Sequence, residues 1–584
     1  MNVVILRAVG TARRHWLFTS ALIIGVALRV VVQVAYWPAL LYIDSVRYLY
    51  AESNWDPLGY LVLLWPLLKV GGLALVAITQ HLLGLFMAAA IYSLALRWGA
   101  KRFVGALAAA PVLFDAYQLQ LEQNIMADTF FEAVVLAGLV ALLWRSHPRL
   151  RNVAVAGLAF GLAAIVREVG LLVVAPTAAY VWLAARGHLA AGKARGQLAA
   201  GPTARRLRPT PAGLPRRSLA PSLSRIWRHP VSRPALLCAS FAVPVVGYLL
   251  GNFAATGRME LAGQGSNLYG RVAAAANCAT LRIPSYESAL CPTPAARALG
   301  VDGLMHNPRS PALKFKAPVG MSSRALRGDF TRQVLLQQPI GVAAAISDDV
   351  AGSFSYPRRP GQADTPIFRW QFQTSYPEFP PGLAHSREAE IVRQFGGGRP
   401  SVVRPLAAAS RAYQLDGGYT PGPALALAGL IGVLGAAGAD RVWRRGKRHA
   451  GRAGTAGRAD RAGRAGAVGW RPAGRADRAG CAGAVGWRPT GRAGLISLWP
   501  TGLRSACFLV VATGAVLLVG ADIIEFSWRY QLPGLVTLPL AAALGIAALT
   551  GRQPSTCQSA TTAGLARSRS AAELAAEVKA PVDA

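Results

Sequence analysis

Long apolar stretches alternate with short polar segments along this chain, and most of these stretches approach the length that crosses a lipid bilayer. A membrane-spanning helix needs roughly 20 mostly apolar residues. By that measure the pattern predicts about ten spanning helices, at residues 17–36, 72–96, 103–118, 127–144, 152–166, 169–185, 234–252, 420–438, 505–525 and 531–549. The sequence therefore predicts an all-α polytopic membrane protein.

Two details of this pattern admit a second interpretation. The stretches 152–166 and 169–185 are short, which is typical of a tilted or re-entrant hairpin as well as of two full spans. Residues 1–36 have the outline of a cleaved signal peptide, but their apolar run is long and no small-residue cleavage site follows it. We therefore expect 17–36 to remain as a true span.

The composition supports the membrane interpretation and weakens one alternative. Of 584 residues, 53% are hydrophobic and only 15% are charged, which is unlike a soluble domain. The net charge of +35 raises nucleic acid as a partner. The basic segments are rich in Ala, Gly and Pro and offer few aromatic residues on which bases could stack. We therefore expect no nucleic-acid binding.

The positions of the basic residues predict the orientation of the chain. With ten spans and a cytoplasmic N-terminus, the Arg-rich connections all fall on the cytoplasmic side of a plasma membrane. These connections are 97–102, 144–151, 186–233, 441–504 and the tail 550–584. Both termini are therefore predicted to be cytoplasmic. The basic linkers could also lie on anionic headgroups, so membrane lipids are expected partners.

The spans divide the chain into predicted parts. These are an N-terminal transmembrane core at 1–252 with a basic cytoplasmic linker at 186–233, an extracytoplasmic loop subdomain at 253–419, one span at 420–438, a disordered basic linker at 439–504, a transmembrane pair at 505–549 and a cytoplasmic tail at 550–584. The second linker contains a tandem 17-residue repeat at 459–492, whose copies differ at two positions. Such a repeat is too short and too poor in large apolar residues to build a solenoid.

The loop 253–419 differs from the linkers because its 18 basic and 11 acidic residues are far better balanced. Cys278 and Cys291 lie thirteen residues apart in it, and a disulfide between them is plausible on an oxidising face. The segment that includes Asn267, Tyr269 and Arg271 is interpreted either as an acceptor contact or as a turn that the disulfide holds. The chain has no CxxC pair and its eight His residues are scattered, so we predict no metal site.

Acidic and arginine side chains from several spans fall at the predicted outer surface. They are Asp44, Asp115, Glu122, Asp128, Glu132, Arg167, Glu168, Asp522, Glu525 and Arg529. Any one of them could simply anchor a helix at the interface. A charge inside a span is costly and usually faces a cavity or a partner. We therefore expect Arg29, within the first span, to point toward the same outer cavity.

Carboxylates and guanidiniums in one outer cavity suit a particular chemistry. A carboxylate can take the proton of an acceptor hydroxyl as general base. Arginines can bind a phosphate through paired hydrogen bonds and stabilise its charge as it leaves. Together these groups favour transfer of a sugar from a membrane-bound lipid phosphate.

Six segments of the chain share features with one group of membrane proteins. They are, in order, "LRVVVQVAYWPALLYIDSVRYLY", "DPLGYLVLLWPLLKVGG", "LLGLFMAAAIYSLALRWGAKR", "LEQNIMADTFFEAVVLAGLVALL", "GLAFGLAAIVREVGLLVV" and "WRYQLPGLVTLPLAAAL". In this order they resemble the GT-C superfamily of integral-membrane glycosyltransferases, which includes protein mannosyltransferases and aminoarabinose transferases. The resemblance covers residues 20–185 and 505–549. It implies a GT-C-like fold and an inverting hexosyl or pentosyl transferase that uses a polyprenyl-phosphate-sugar donor and a cell-envelope acceptor.

The resemblance also implies roles for individual residues. Asp44 matches the acid of the first outer loop and would be the general base. Glu122 or Asp128 would be the second acid, which orients acceptor or donor, and Asp56 substitutes for the usual residues of the next motif. Three arginines would bind the lipid phosphate, namely Arg529, Arg167 and Arg29. No organic cofactor is implied, and a divalent cation is needed only in some branches of the superfamily.

The sequence departs from the superfamily pattern beside the predicted base. Many members have a second acid directly after the first, whereas Ser45 follows Asp44 here and Arg47 lies one helical turn on. If Arg47 pairs with Asp44, it lowers the pKa of that carboxyl and weakens it as a base. The alternative is that Arg47 turns toward the donor phosphate. Two other classes of protein stay open at this point, a multi-pass transporter and a catalytically silent envelope-assembly protein.

Overall fold

The computed structural model describes residues 10, 12–51, 57–199, 230–261, 267–356, 358, 364–376, 390–391, 393–396, 400–438 and 502–551. Several sequence features lie outside these residues. They are Asp56, the tandem repeat, most of both basic linkers and nearly all of the C-terminal tail.

The described chain is mostly helical, as expected from apolar runs rich in Leu and Ala, which are strong helix formers. The first group of helices is α1 (Trp16–Ala35), α2 (Ile43–Leu49), α3 (Leu61–Arg97), α4 (Arg102–Phe114), α5 (Ala116–Gln123), α6 (Asp128–Leu143), α7 (Leu150–Val166), α8 (Val174–Ala199) and α9 (Ser232–Thr256). The loop contributes α10 (Asn267–Ala275), α11 (Pro294–Arg297), α12 (Gly300–His306), α13 (Pro311–Lys314), α14 (Ser323–Gln337), α15 (Pro339–Gly352) and α16 (Arg404–Leu415). The last group is α17 (Gly422–Ala437), α18 (Leu503–Asp522) and α19 (Leu532–Leu549). Short 3-10 helices precede α3, α8 and α19, at Leu58–Tyr60, Glu168–Val173 and Trp528–Gln531.

Six helices in the described part of the chain are long and apolar enough to cross a membrane, and a bent pair would make a seventh. The six are Trp16–Ala35, Leu58–Arg97, Glu168–Arg186, Ser232–Thr256, Leu503–Asp522 and Trp528–Leu549. The prediction of ten spans is therefore not confirmed. At three of the other predicted spans the helices have only 16 or 17 residues, namely α6, α7 and α17. At 1.5 Å per residue they extend about 25 Å, less than a typical hydrocarbon core of about 30 Å.

Two helix breaks explain where the predicted spans and the observed helices differ. α3 begins eleven residues before the predicted span at 72–96, and its helical backbone is interrupted at Gly71 and Gly72. Gly72 has a φ of 63°, and the Phe395 carbonyl approaches the place where a side chain would begin. The predicted span 103–118 is instead the pair α4 and α5, bent by 48°.

Asp115 stabilises the bend between α4 and α5. Its Oδ1 accepts a hydrogen bond of 2.9 Å from the Tyr117 N–H, so the carboxylate caps the N-terminus of α5. Its Oδ2 accepts a bond of 2.7 Å from the Thr420 N–H, just before α17. Asp115 is therefore a structural residue that joins three helices.

The loop between α9 and α17 forms a small subdomain with its own apolar core. That core is built around Tyr269, Phe330 and Val334. Cys278 and Cys291 are joined by a disulfide, with their Cα atoms 6.0 Å apart. Tyr269 is buried in this core, and its hydroxyl donates to the Leu290 carbonyl at 2.6 Å. Tyr269 is therefore a packing residue of the subdomain.

The end of the loop returns to the end of α1. The two-residue strand β1 (Tyr36–Trp37) pairs antiparallel with β2 (Ser401–Val402), the only strands in the part of the chain that the structure describes. Tyr36 pairs with Val402, and its hydroxyl donates to the Gln373 carbonyl at 2.7 Å. The loop subdomain is therefore fastened to the end of the helical bundle where Asp44 lies.

Candidate active site

A cavity of about 240 Å³ lies between the helical bundle and the loop subdomain. Its walls come from α2, the start of α6, the turn before α8, the turn before α19, and two segments of the loop. The charged residues that line it are Asp44, Arg47, Asp128, Glu132, Arg167, Glu168, Asp302, His306, Arg369, Glu525 and Arg529. Four of these residues were predicted from the sequence as site residues, namely Asp44, Asp128, Arg167 and Arg529. The structure therefore brings these four together at one cavity.

Local structure fixes the position of Asp44. It is the second residue of α2, where a carboxylate is favoured by the N-terminal end of the helix dipole. Ser45, which stands where many superfamily members have a second acid, accepts a hydrogen bond of 2.8 Å from the Tyr42 N–H. Upstream, the Leu40 N–H donates to the Gln123 carbonyl at 2.9 Å. The Ser45 hydroxyl therefore stabilises the backbone at the start of α2, where Asp44 lies.

Asp44 is paired with two arginines. Arg529 Nη1 donates to Asp44 Oδ2 at 2.7 Å, and Arg47 Nη1 lies 3.4 Å from Asp44 Oδ1. Burial acts to raise the pKa of Asp44, but Arg529 and Arg47 outweigh it and hold this pKa below its usual value. The sequence predicted that Arg47 would lower the pKa of Asp44 if the two side chains paired. The stronger partner is Arg529, which the chain supplies from nearly five hundred residues away.

A second acid–arginine pair faces the first. Arg167 Nη1 donates to Asp128 Oδ1, and Asp128 Oδ2 is buried with no hydrogen-bond partner among the described residues. The Arg167 guanidinium also lies over the Tyr530 ring, 5.2 Å from its centroid. Asp128 is the first residue of α6, and Arg167 follows the last residue of α7. The two helix ends therefore place this pair at the rim of the bundle.

Glu525 is a cavity residue to which the sequence assigned no role. Its Oε1 accepts a hydrogen bond of 3.1 Å from the Tyr530 hydroxyl, which in turn accepts from Arg529 Nη2 at 3.2 Å. Burial raises the pKa of Glu525 to about 7, with a further contribution from Asp302 and an opposing one from Arg529. The sequence placed Glu525 among the charges of the outer surface, three residues before the "WRY" motif, but gave it no further distinction.

The loop subdomain contributes residues that the sequence did not identify. Arg369 Nη1 donates to the Tyr42 hydroxyl at 3.2 Å and lies 3.4 Å from Asp302 Oδ2. Trp370 packs against Tyr42, and Arg529 lies over its ring at 4.9 Å. His306 also faces the cavity, and burial lowers its pKa. No motif marks these residues, because the tertiary fold of the loop alone brings them to the cavity.

Glu122 and Arg29 do not line the cavity. They form a closed buried cluster with His81, in which Arg29 Nη2 donates to Glu122 Oε1 at 2.7 Å and His81 Nδ1 lies 2.9 Å from Glu122 Oε2. Glu122 is completely buried, and a side chain on Gly84 would overlap its Oε1. Arg29 also donates to the Leu113 carbonyl at 3.1 Å. The predicted orienting and phosphate-binding roles of this pair are therefore not supported by its position.

Two further predicted features lie elsewhere. Asp56 falls outside the residues that the structure describes. The Cys278–Cys291 disulfide belongs to the core of the loop subdomain. Within the described ranges, no three His, Cys, Asp or Glu side chains are grouped so as to hold a metal ion.

Comparison with known proteins found no family model, curated protein or solved structure that matches this chain. Inference about function therefore starts from the cavity and from the sequence motifs that reach it.

Proposed function

We propose that this protein transfers a sugar from a polyprenyl-phosphate donor to an envelope acceptor at the outer face of the plasma membrane. One observation carries the proposal: Asp44, Asp128, Arg167 and Arg529 come from separate segments of the chain and line one cavity. These are the acids and arginines that the GT-C resemblance assigns to base, substrate orientation and lipid phosphate.

The charges in the cavity suit the leaving group of such a reaction. Arg529 and Arg167 both approach Tyr530, with their guanidinium carbons 5.0 Å and 5.2 Å from its ring centroid. Guanidiniums held in place before the reaction stabilise a phosphate that gains charge as it leaves. Arg529 Nε, which is buried and has no hydrogen-bond partner among the described residues, remains as a donor for a phosphate oxygen.

The proposed step is an inverting displacement. The acceptor hydroxyl gives its proton to a carboxylate, and its oxygen forms a bond to the anomeric carbon of the sugar. The bond from that carbon to the phosphate oxygen breaks, and polyprenyl phosphate leaves with the electron pair. The enzyme thus needs a base within reach of the acceptor hydroxyl and cations around the departing phosphate.

Asp44 is the proposed base, and its pairing with Arg529 couples the base to the donor. Arg529 holds the pKa of Asp44 low, which keeps the carboxylate charged but makes it a poor proton acceptor. A donor phosphate competes with Asp44 for the Arg529 guanidinium. Donor binding then releases the carboxylate and raises its affinity for the acceptor proton.

Envelope analysis of a strain that lacks the gene tests the function and also identifies sugar and acceptor. We expect a sugar to be missing from one envelope component, to return with the wild-type gene, and to stay missing with Asp44→Asn. Asp416→Asn is the matched control, since Asp416 is exposed and lies outside the cavity.

The same strains separate the rival functions. Normal glycans in the strain with Asp44→Asn, at wild-type protein levels, would favour a silent assembly protein. Uptake of a labelled solute into vesicles that depends on the protein would favour a transporter.

A further inference from the structure

A second charged pocket lies at the other end of the bundle. It is an open pocket of about 900 Å³ between the start of α1, the end of α3, the start of α4 and the residue after α6. α1 has 20 residues and leads from this pocket to the segment that carries Asp44. At 1.5 Å per residue the two pockets are about 30 Å apart, the thickness of a bilayer core.

The pocket carries positive charge without compensating acids. Its cationic lining residues are Arg13, Arg14, Arg97, Lys101 and Arg102, and none of the described residues that line it is acidic. Arg14, Lys101 and Arg102 are exposed, so these charges are available to a ligand. The positive field reaches His15, whose pKa is lowered by burial and by Arg102 and Arg14.

The local backbone adds donors to these charges. α4 begins at Arg102, and the residue before it, Lys101, makes no side-chain capping bond. The first N–H groups of a helix have no partner within the helix and carry partial positive charge. Positive charge therefore comes from three helix ends that meet at this pocket: the start of α1, the end of α3 and the start of α4.

Aromatic side chains frame the same pocket. Trp16 and Trp144 are 63% and 43% exposed, and Phe103 is 54% exposed. Exposed Trp side chains at helix ends are typical of the level of lipid headgroups. Arg97 lies over the Trp144 ring at 5.1 Å, which connects the cationic wall with the aromatic rim.

We infer that this pocket binds the headgroup of an anionic phospholipid. Basic pockets between membrane helices bind phosphate-bearing headgroups. The phosphate would be held by Lys101, Arg102 and the α4 N-terminus, with Arg13 and Arg14 across the opening. The aromatic rim would lie at the boundary between headgroup and acyl chains. Simple attraction of a basic surface to anionic lipid would need neither the pocket nor the rim.

Native mass spectrometry of the full-length protein in detergent tests this inference. The protein is titrated with phosphatidylglycerol or with phosphatidylcholine of the same acyl chains. Two pocket variants are compared, Lys101→Gln with Arg102→Gln and Arg13→Gln with Arg14→Gln. The control is Arg149→Gln with Arg151→Gln, which removes two exposed charges at the start of α7, at the same end of the bundle but outside the pocket.

The expected result is tight binding of phosphatidylglycerol, with an affinity about tenfold lower in each pocket variant and unchanged in the control. Equal loss in the control would show general surface attraction and overturn the inference. Equal binding of phosphatidylcholine, or wild-type affinity in both pocket variants, would overturn it as well. In a further arm, inorganic phosphate is added to the protein with phosphatidylglycerol bound, and displacement of the lipid by phosphate at equal concentration would overturn the inference, because the pocket would then bind phosphate without a lipid.

Discussion

Two buried ionic clusters of this protein look alike at first and differ in what surrounds them. Each contains a carboxylate with an arginine nitrogen 2.7 Å away, Asp44 with Arg529 and Glu122 with Arg29. The Glu122 cluster is closed, since Glu122 has donors from Arg29, His81 and Gln118 and no exposed surface. The Asp44 cluster opens into a cavity. An acid–arginine pair therefore becomes a candidate for chemistry only when space for a substrate lies beside it.

The largest expected effect concerns the stability of the closed cluster. Glu122→Gln keeps the shape of the side chain but leaves the Arg29 charge buried without its counter-ion. Breaking a buried pair in this way costs about 3–5 kcal/mol. Thermal unfolding of the purified protein should show a large fall in Tm. A second substitution that supplies a new carboxylate nearby, Gln80→Glu, should not restore the Tm, because Gln80 donates to two backbone carbonyls.

The control for this prediction is Glu260→Gln, which breaks a partly exposed pair with Arg324. Exposed pairs contribute only about 0–1 kcal/mol, so its Tm should barely change. An unchanged Tm for Glu122→Gln would contradict the assignment of this cluster as structural.

The next effect concerns activity at the open cluster. Arg529→Gln removes a cation that faces the proposed phosphate and leaves a shorter, neutral polar side chain. Loss of one such donor typically lowers kcat by about 10²–10³-fold. The measurement is transfer by the purified protein, with Arg411→Gln as the control because Arg411 binds the Phe372 carbonyl away from the cavity. Activity near the wild-type level would remove Arg529 from the mechanism.

The third effect is a pH dependence that originates at Glu525. Its pKa of about 7 means that it is neutral below pH 7 and negative above it. Ionisation adds a negative charge to the cavity that we propose binds an anionic donor, so KM for the donor should rise roughly tenfold as pH increases from 6 to 8. Glu525→Gln should flatten this dependence. His306 also faces the cavity, but burial lowers its pKa from the usual value, so it titrates at lower pH than Glu525.

The same profile separates two roles for Glu525. If Glu525 were itself the general base, kcat would fall below pH 7 because the protonated form cannot accept a proton. A kcat profile that stays flat from pH 8 to 6 while KM changes is the result expected when Asp44 is the base.

The smallest effect concerns the support of Asp44. Ser45→Ala removes the hydroxyl that accepts from the Tyr42 N–H, which should lower stability by about 1 kcal/mol. Loss of that bond also loosens α2, so a several-fold fall in transfer is expected. Ser347→Ala is the control, since Ser347 is exposed and bonds only within its own helix. A Tm shift equal to that of the control would show that Ser45 is dispensable.

The comparison of clusters also shows how far the sequence could predict the site. Sorting charges by depth correctly grouped Asp44, Asp128, Arg167 and Arg529, because each lies near a helix end on the same side of the bundle. Depth does not report the direction in which a side chain points around the helix, so Glu122 and Arg29 were grouped with them wrongly. Asp302 and Arg369 could not be predicted, because their positions depend on how the loop folds against the bundle.

The helices were predicted better than their lengths. Apolar runs located the long helices of the bundle, since burial in lipid or protein requires the same side chains, but they did not locate the loop helices α14, α15 and α16. Their ends depend on local events such as the break at Gly72 and the Asp115 cap, which hydropathy alone does not register. That is why the count of ten spans exceeds the six helices that are long enough.

The most direct test of the central claim compares the open and the closed cluster in one assay. Purified wild-type, Asp44→Asn and Glu122→Gln proteins are given polyprenyl-phosphate-linked sugars extracted from the source membranes, together with an acceptor fraction. Release of polyprenyl phosphate is measured per folded molecule. We expect turnover to fall about 10²–10⁴-fold with Asp44→Asn and to remain at the wild-type level with Glu122→Gln. Wild-type turnover with Asp44→Asn, or equal losses in both variants, would contradict the account.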